Sequence, residues 1–147
     1  MSTLNLLLIE SAGRAGQGVA YSTREPAHVP NVRAEVMSAW ADDLEHFVRV
    51  AETEGNARRD FVQRRQFGRY LRGLLDDAIA SGHVRLVEAQ ATSAGPDGDT
   101  WKVGLDGGEA IKASGLVLAI GNQPPEPLPF LRDTARAINN PWGARAL

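Results

Sequence analysis

Glu10 is the first residue whose type and place could do chemistry. It closes the apolar run Leu4-Asn5-Leu6-Leu7-Leu8-Ile9. A carboxylate at the end of a buried strand can accept two donors at once, as the hydroxyls of a dinucleotide's ribose would offer. The plain alternative is a strand-end carboxylate that meets solvent. Gly13-Arg14-Ala15-Gly16-Gln17-Gly18 follows directly. Its spacing is not that of the G-x-G-x-x-G fingerprint. Glycine-rich backbone can nonetheless approach a ligand closely, with Arg14 as partner to a phosphate or a ring; otherwise the stretch is a surface loop. Arg64 and Arg65 fall in the first turn of an expected helix, where the partial positive charge of the helix end disfavours them. Either something negative lies beside them or both are solvated. Leu116-Val117-Leu118-Ala119-Ile120 closes on Gly121, where a bare backbone could pass near a cofactor, although many buried strands end in glycine. His28, His46 and His83 share no metal-ligand spacing and suggest no Ser-His-Asp set. They are read as structural or surface residues, with no metal site and no catalytic residue assigned.

The elements that must position these residues belong to a chain of 147 residues, 43% apolar and 23% charged, with a formal net charge of -2. One domain over 1–147 is the natural reading, long enough to bury about two thirds of its unfolded surface. The apolar content is too high for a disordered chain. Sixteen basic against eighteen acidic residues give no general attraction for nucleic acid or anionic lipid. The absence of cysteine excludes disulfides, thiolate metal sites and a thiol nucleophile. The apolar runs are too short to span a bilayer, and no basic region precedes an apolar one at the N-terminus. A cytoplasmic protein without nucleic-acid or membrane partners is expected.

Continuous apolar runs such as Leu6–Ile9 and Leu116–Ile120 fit strands buried on both faces of a parallel sheet. Ser11 to Pro30 shows no periodicity and reads as a long ordered loop. Apolar spacings of three and four predict helices over Ala39–Glu54, stopped at Gly55-Asn56, and over Phe61–Ala80, stopped at Ser81-Gly82. Val84–Val87 reads as a short strand. Gly95-Pro96-Asp97-Gly98-Asp99 reads as a turn. Thr100–Leu105, Asp106-Gly107-Gly108 and Glu109–Ala113 read as a hairpin. Four prolines between Pro124 and Pro129 exclude regular structure there. The predicted class is α/β: a parallel sheet with helices, carrying a small antiparallel β-meander.

Taken in order, these stretches resemble a known family. Glu10 with Gly13–Thr23, then Pro26–Val32, Met37-Ser38, Phe61–Arg64, Phe67–Leu71 and Leu116–Pro125 are similar to the bacterial FAD/NAD(P)-binding proteins. Those are two-dinucleotide-binding-domain flavoproteins related to flavin monooxygenases. The likeness runs from about Leu4 to the late Pro141-Trp142. It implies a Rossmann-like domain binding FAD and reduced by NAD(P)H, in an FAD-dependent oxidoreductase. It also implies that Glu10 binds the adenosine ribose and that Arg14, Gly16, Gln17 and Gly18 line the adenosine-to-pyrophosphate side. Asn31, Met37 and Ser38 would approach the flavin ring, and Gly121 would pass close to FAD.

One departure stands out. In such domains the ribose carboxylate follows the G-x-G-x-x-G turn by roughly 20 residues, and here nine residues precede Glu10. The expectation is therefore an incomplete Rossmann-like domain, truncated at the N-terminus and at the C-terminus, without the phosphate-binding turn. The alternative to a working oxidoreductase is a non-catalytic nucleotide-binding or interaction module left by truncation. Strands deprived of a neighbour have unpaired edges and an exposed apolar face, so self-association or a complementing chain is expected.

Overall fold

The computed structural model describes residues 5–121, 125–126, 128–131 and 138. The chain divides into two compact units, Met1–Leu116 and Val117–Leu147.

The first unit opens on Leu6–Ile9 (β1), which pairs in parallel with Val84–Val87 (β2), Leu6 opposite Val84 and Ile9 opposite Val87. The Leu6 N–H donates to the His83 carbonyl at 3.3 Å and the Glu10 N–H to the Val87 carbonyl at 3.1 Å. The ladder thus runs one residue past the strand and fixes the backbone of Glu10. Both strands were expected from their apolar runs; Leu4, where the first was expected to start, lies outside the described residues. Burial on both faces is not what β1 shows. Leu6 is 49% exposed and Leu7, Leu8 and Ile9 are half-buried, because two strands with one helix packed against β2 leave part of the sheet open.

Between the strands lie Gly18–Tyr21 (α1), a 3₁₀ turn Ala34–Val36, His46–Thr53 (α2) and Arg64–Ala80 (α3). The apolar periodicity places Phe47, Val48 and Ala51 of α2 in the interior. The helix does not start at Ala39 as expected, however. The Tyr70 hydroxyl accepts the Ala39 N–H, and the Ser38 hydroxyl accepts the Trp40 N–H while donating to the Asp43 carbonyl, so side chains hold this segment as a turn. Trp40 and Leu44 consequently stay exposed. α3 likewise starts three residues later than predicted. Gln66 reaches back so that its Oε1 accepts the Gln63 N–H at 2.8 Å, half of a capping box that sets the first turn at Arg64. Both helices stop where expected, in paired Schellman bonds. Gly55 and Asn56 donate to the Glu52 and Ala51 carbonyls, and Gly82 and His83 to those of Ile79 and Ala78.

The core sits between α2, α3 and the 3₁₀ turn: Ala34, Met37, Phe47, Ala51, Val62, Phe67 and Tyr70, with Tyr21 packed against it. Phe47 and Phe67 meet edge to face at 4.9 Å, as do Tyr21 and Phe67, an arrangement that suits aromatic quadrupoles.

A three-stranded antiparallel sheet follows, Ala91–Asp97 (β3), Thr100–Leu105 (β4) and Ala110–Ala113 (β5), in the order β3-β4-β5. The β4–β5 hairpin is the predicted one. β3 corrects the sequence reading, which treated Gly95-Pro96-Asp97 as turn. Pro96 is tolerated opposite Trp101 because β3 is an edge strand, and the turn itself is only Gly98-Asp99. Val103 and Leu105 fill the buried face of β4.

A second correction concerns Leu116–Ile120, expected as a buried strand. It forms no strand, and Val117, Leu118 and Ile120 are 85%, 69% and 73% exposed. Among the described residues no ladder receives it, and an apolar run without a partner strand has no reason to be extended. Of the proline stretch, Pro129 begins a 3₁₀ turn, Pro129–Leu131, a position where its missing N–H costs nothing. Asn122, Gln123, Pro124, Pro127 and Pro141-Trp142 lie outside the described residues.

Candidate functional site

The chain leaves β1 at Glu10 and turns at once. The Glu10 carboxylate accepts the Ala12 N–H on Oε1 at 2.9 Å and the Arg14 N–H on Oε2 at 2.8 Å. Each oxygen takes one donor and keeps a second lone pair. The Arg14 carbonyl then accepts the N–H groups of Gln17 and Gly18 at 2.9 and 3.0 Å, leading into α1. Gly13, Gly16 and Gly18 have φ of +65°, +80° and +57°, conformations that other residues adopt only with strain. They differ in what they face. A Cβ on Gly16 would meet the Leu71 carbonyl and Leu75 side chain of α3 at 3.4 Å, whereas one on Gly13 or Gly18 would meet nothing within 4 Å. The loop therefore rests on α3 along one side and is open along the other. Ala15 is buried; Arg14 is exposed and Gln17 half-buried.

The second group of expected residues, Asn31, Met37 and Ser38, lies on a separate stretch. Asn31 is exposed. The Met37 side chain is inside the core at 6% exposure, so anything it offers a ligand comes from its backbone. The Ser38 hydroxyl donates to the Asp43 carbonyl at 2.6 Å while accepting the Trp40 N–H at 3.1 Å. Both stretches are fastened to the same helix, the loop through Gly16 against Leu71 and Leu75, the Met37–Ala39 stretch through Tyr70. Gly121, with φ +63°, belongs to the second unit and is exposed.

Arg64 and Arg65 lie in the first turn of α3, as expected, and are its first two residues because the helix starts later than predicted; each has found a neutral oxygen. Arg64 Nε donates to the Val29 carbonyl at 3.1 Å, Arg65 Nε to Gln63 Oε1 at 2.6 Å. The Arg64 N–H also bonds the His28 carbonyl at 2.8 Å, which ties the end of the long loop to the helix. The three histidines each bond a hydroxyl through Nδ1: His28 with Thr23, His46 with Tyr70, His83 with Ser81. Among the described residues no cluster of three or more His, Cys, Asp or Glu is placed to hold a metal ion, and no helix is long and apolar enough to cross a membrane.

Charge is organised on the surface beside this region. The Arg49 guanidinium bonded to Asp43 holds that carboxyl below the usual carboxylate range. Arg58 bridges Glu45 and Glu35, and both carboxylates raise its affinity for its proton. These pairs fasten the turn before α2 to its neighbours.

Sequence reasoning named Gly68 and Tyr70 only within the Phe67–Leu71 stretch and read His46 as structural or surface, without the contacts that each makes. A Cβ on Gly68 would lie 2.1 Å from the Tyr21 carbonyl oxygen, so α1 can reach α3 only at that glycine. The available signal was a glycine inside an otherwise unbroken apolar stripe, which propensity alone disfavours.

A parallel βαβ unit whose first strand ends in a carboxylate and opens into a glycine-rich loop defines the class: a Rossmann-like α/β arrangement. The chain belongs to the FAD-NAD(P)-binding family, whose model matches residues 1–123. No curated protein and no solved structure matches it.

Proposed function

We propose that this chain binds FAD as part of a flavoprotein oxidoreductase reduced by NAD(P)H, with residues 1–147 contributing to a single cofactor-binding domain. The observation that carries the reading is the open side of the Glu10–Gly18 loop. Glu10 keeps one free lone pair on each carboxylate oxygen, and beyond the adjoining backbone no atom stands within 4 Å of where a Cβ on Gly13 or Gly18 would be. That opening fits a ribose and the start of a pyrophosphate. Glu10 would accept the ribose hydroxyls, and Arg14, Gly16, Gln17 and Gly18 would line the adenosine-to-pyrophosphate side. Asn31, the Met37 backbone and Ser38 would lie toward the flavin. Bound flavin supplies hydride-transfer chemistry; this chain's residues bind and orient it, and none is assigned as acid or base. We further propose a cytoplasmic protein that self-associates or takes up a complementing chain, which the half-open β1 and the exposed Leu116–Ile120 run support.

One observation favours a second reading. Both Glu10 oxygens already serve the chain's own amides, so Glu10 has a sufficient role in shaping the loop of a non-catalytic nucleotide-binding or interaction module. Titration with FAD, followed by the flavin's visible band and by NAD(P)H consumption, separates the two. Retained flavin with turnover supports the oxidoreductase. Absence of retained flavin at micromolar protein removes that reading for this chain.

A further inference from the structure

We infer that Tyr70 and His46 are positioning residues for the Ser38–Asp43 segment, the part of the chain that follows Met37 toward the flavin; the link to flavin rests on the function proposed above. Tyr70 is 6% exposed, its ring packed among Phe47 and Phe67 at 5.0 and 5.5 Å. Its hydroxyl lies 3.2 Å from the Ala39 nitrogen and 2.9 Å from His46 Nδ1. An amide N–H can only donate, so the phenol oxygen accepts from Ala39. The second bond joins the phenol to His46 Nδ1, with donor and acceptor set by the imidazole tautomer. The backbone group fixes the direction of the first bond, and the phenol oxygen joins both partners.

The same segment is tied at its other end. The Asp43 carbonyl accepts both the Ser38 hydroxyl at 2.6 Å and the His46 N–H at 3.1 Å. Ser38 to Asp43 is therefore a closed turn held by His46 on α2 and Tyr70 on α3, with the Trp40 ring edge-on to the His46 ring at 6.3 Å. These bonds hold as a turn a segment whose spacing from Ala39 onward is that of a helix. They leave the Ser38 backbone and hydroxyl fixed relative to α3, the helix that also carries the Glu10–Gly18 loop through Gly16. Residues from two distant parts of the chain are thereby given one common reference.

Tyr70→Phe removes the hydroxyl and keeps the ring, so it tests position apart from packing. In the unliganded full chain, Ala39 amide exchange is expected to rise about tenfold or more, the signature of a local opening made easier. Amides of α3 and of the Glu10–Gly18 loop are expected to stay as they were. The FAD dissociation constant is expected to rise about fivefold, the scale of one lost hydrogen bond. His46→Leu should reproduce the effect. His46→Asn, whose side-chain amide can accept from the phenol or donate to it, should restore most of it. The inference is overturned if Ala39 exchange does not change, if exchange rises across α3 and the loop alike, or if Y70F binds FAD as tightly as the unmodified chain. If the unmodified chain binds no FAD, the proposed function fails by itself, and the link to flavin with it, while Ala39 exchange still decides whether Tyr70 positions the segment.

Discussion

Gly68 and Tyr21 share a space that has no room for a methyl group: a Cβ built on Gly68 would stand 2.1 Å from the Tyr21 carbonyl oxygen. The contact lets α1, four residues long, close onto α3 and bring the Tyr21 ring to Phe67 at 4.9 Å. Gly68→Ala must push backbone against backbone, since no side-chain rotation relieves the clash. A loss of about 2 kcal/mol in unfolding free energy is expected, the scale of overpacking a filled interior, measured by urea denaturation. Gly73 on the same helix has nothing within 4 Å of its would-be Cβ. Gly73→Ala should therefore stabilise by about 0.5–1 kcal/mol through helix propensity alone. Equal effects from the two variants would remove the steric account.

Glu10 holds the first turn of the loop with both oxygens, one on Ala12 and one on Arg14. Glu10→Gln replaces one acceptor with an NH₂ group that faces an N–H donor. One of the two hooks is lost, and about 1 kcal/mol of stability is expected to go with it. Faster amide exchange at either Ala12 or Arg14, but not at both, is the accompanying sign. Glu10→Ala releases both hooks and should weaken FAD binding more than Glu10→Gln does. FAD affinity unchanged in Glu10→Ala would take Glu10 out of the ribose role and leave it a loop-shaping residue.

How far the sequence could be read depends on where each instruction lies. α3, the β4–β5 hairpin and both helix stops are written locally, in a stripe such as Phe67, Tyr70, Leu71 and Leu74 or a turn such as Asp106-Gly107-Gly108. Apart from the three residues by which α3 starts late, they are where the pattern puts them. The start of α2 is not local. Ala39 to Glu45 has the spacing of a helix, and the contacts that hold it as a turn include Tyr70, thirty-one residues away from Ala39. Leu116–Ile120 fails for the complementary reason, because an apolar run specifies a strand only where a neighbouring ladder receives it. β3 was hidden by Pro96, which breaks a central strand but not an edge one. Of the site, Glu10 and the glycines could be singled out from type and spacing. That the glycines face different ways, Gly16 to α3 and Gly13 and Gly18 to open space, depends on packing that no local pattern encodes.

Asp43 gives the turn before α2 a dependence on pH. Arg49 holds its folded-state pKa below that of the unfolded chain. The stability it contributes is therefore complete above the unfolded value, about 3.9, and is lost as pH falls through the lower folded value. Between pH 5 and 8 (roughly the range of ordinary stability maxima) Asp43 adds no slope. Below it, the unmodified chain should lose stability faster than Asp43→Asn, so the gap between the two narrows with acid. Thermal melts of both across pH, repeated at high salt to screen this exposed pair, measure it. A gap that is constant with pH would show that the charge of Asp43 contributes nothing there.

Leu116–Ile120 offers the sharpest handle on self-association. Val117, Leu118 and Ile120 are among the most exposed large apolar side chains of the described residues, at 85%, 69% and 73%. Exposed runs of β-branched and aliphatic residues without proline are templates for pairing with another chain. A charge on the run should block pairing while leaving the α2–α3 core untouched, since neither Val117 nor Ile120 belongs to the buried cluster. The double variant Val117→Lys, Ile120→Lys is expected to move the chain from concentration-dependent oligomers to a monomer in size-exclusion chromatography or sedimentation, with its melting temperature unchanged. Oligomers that persist would place the adhesive surface elsewhere, the half-exposed Leu6 of β1 being the next to substitute. A dilution-resistant monomer in the unmodified chain would remove self-association altogether.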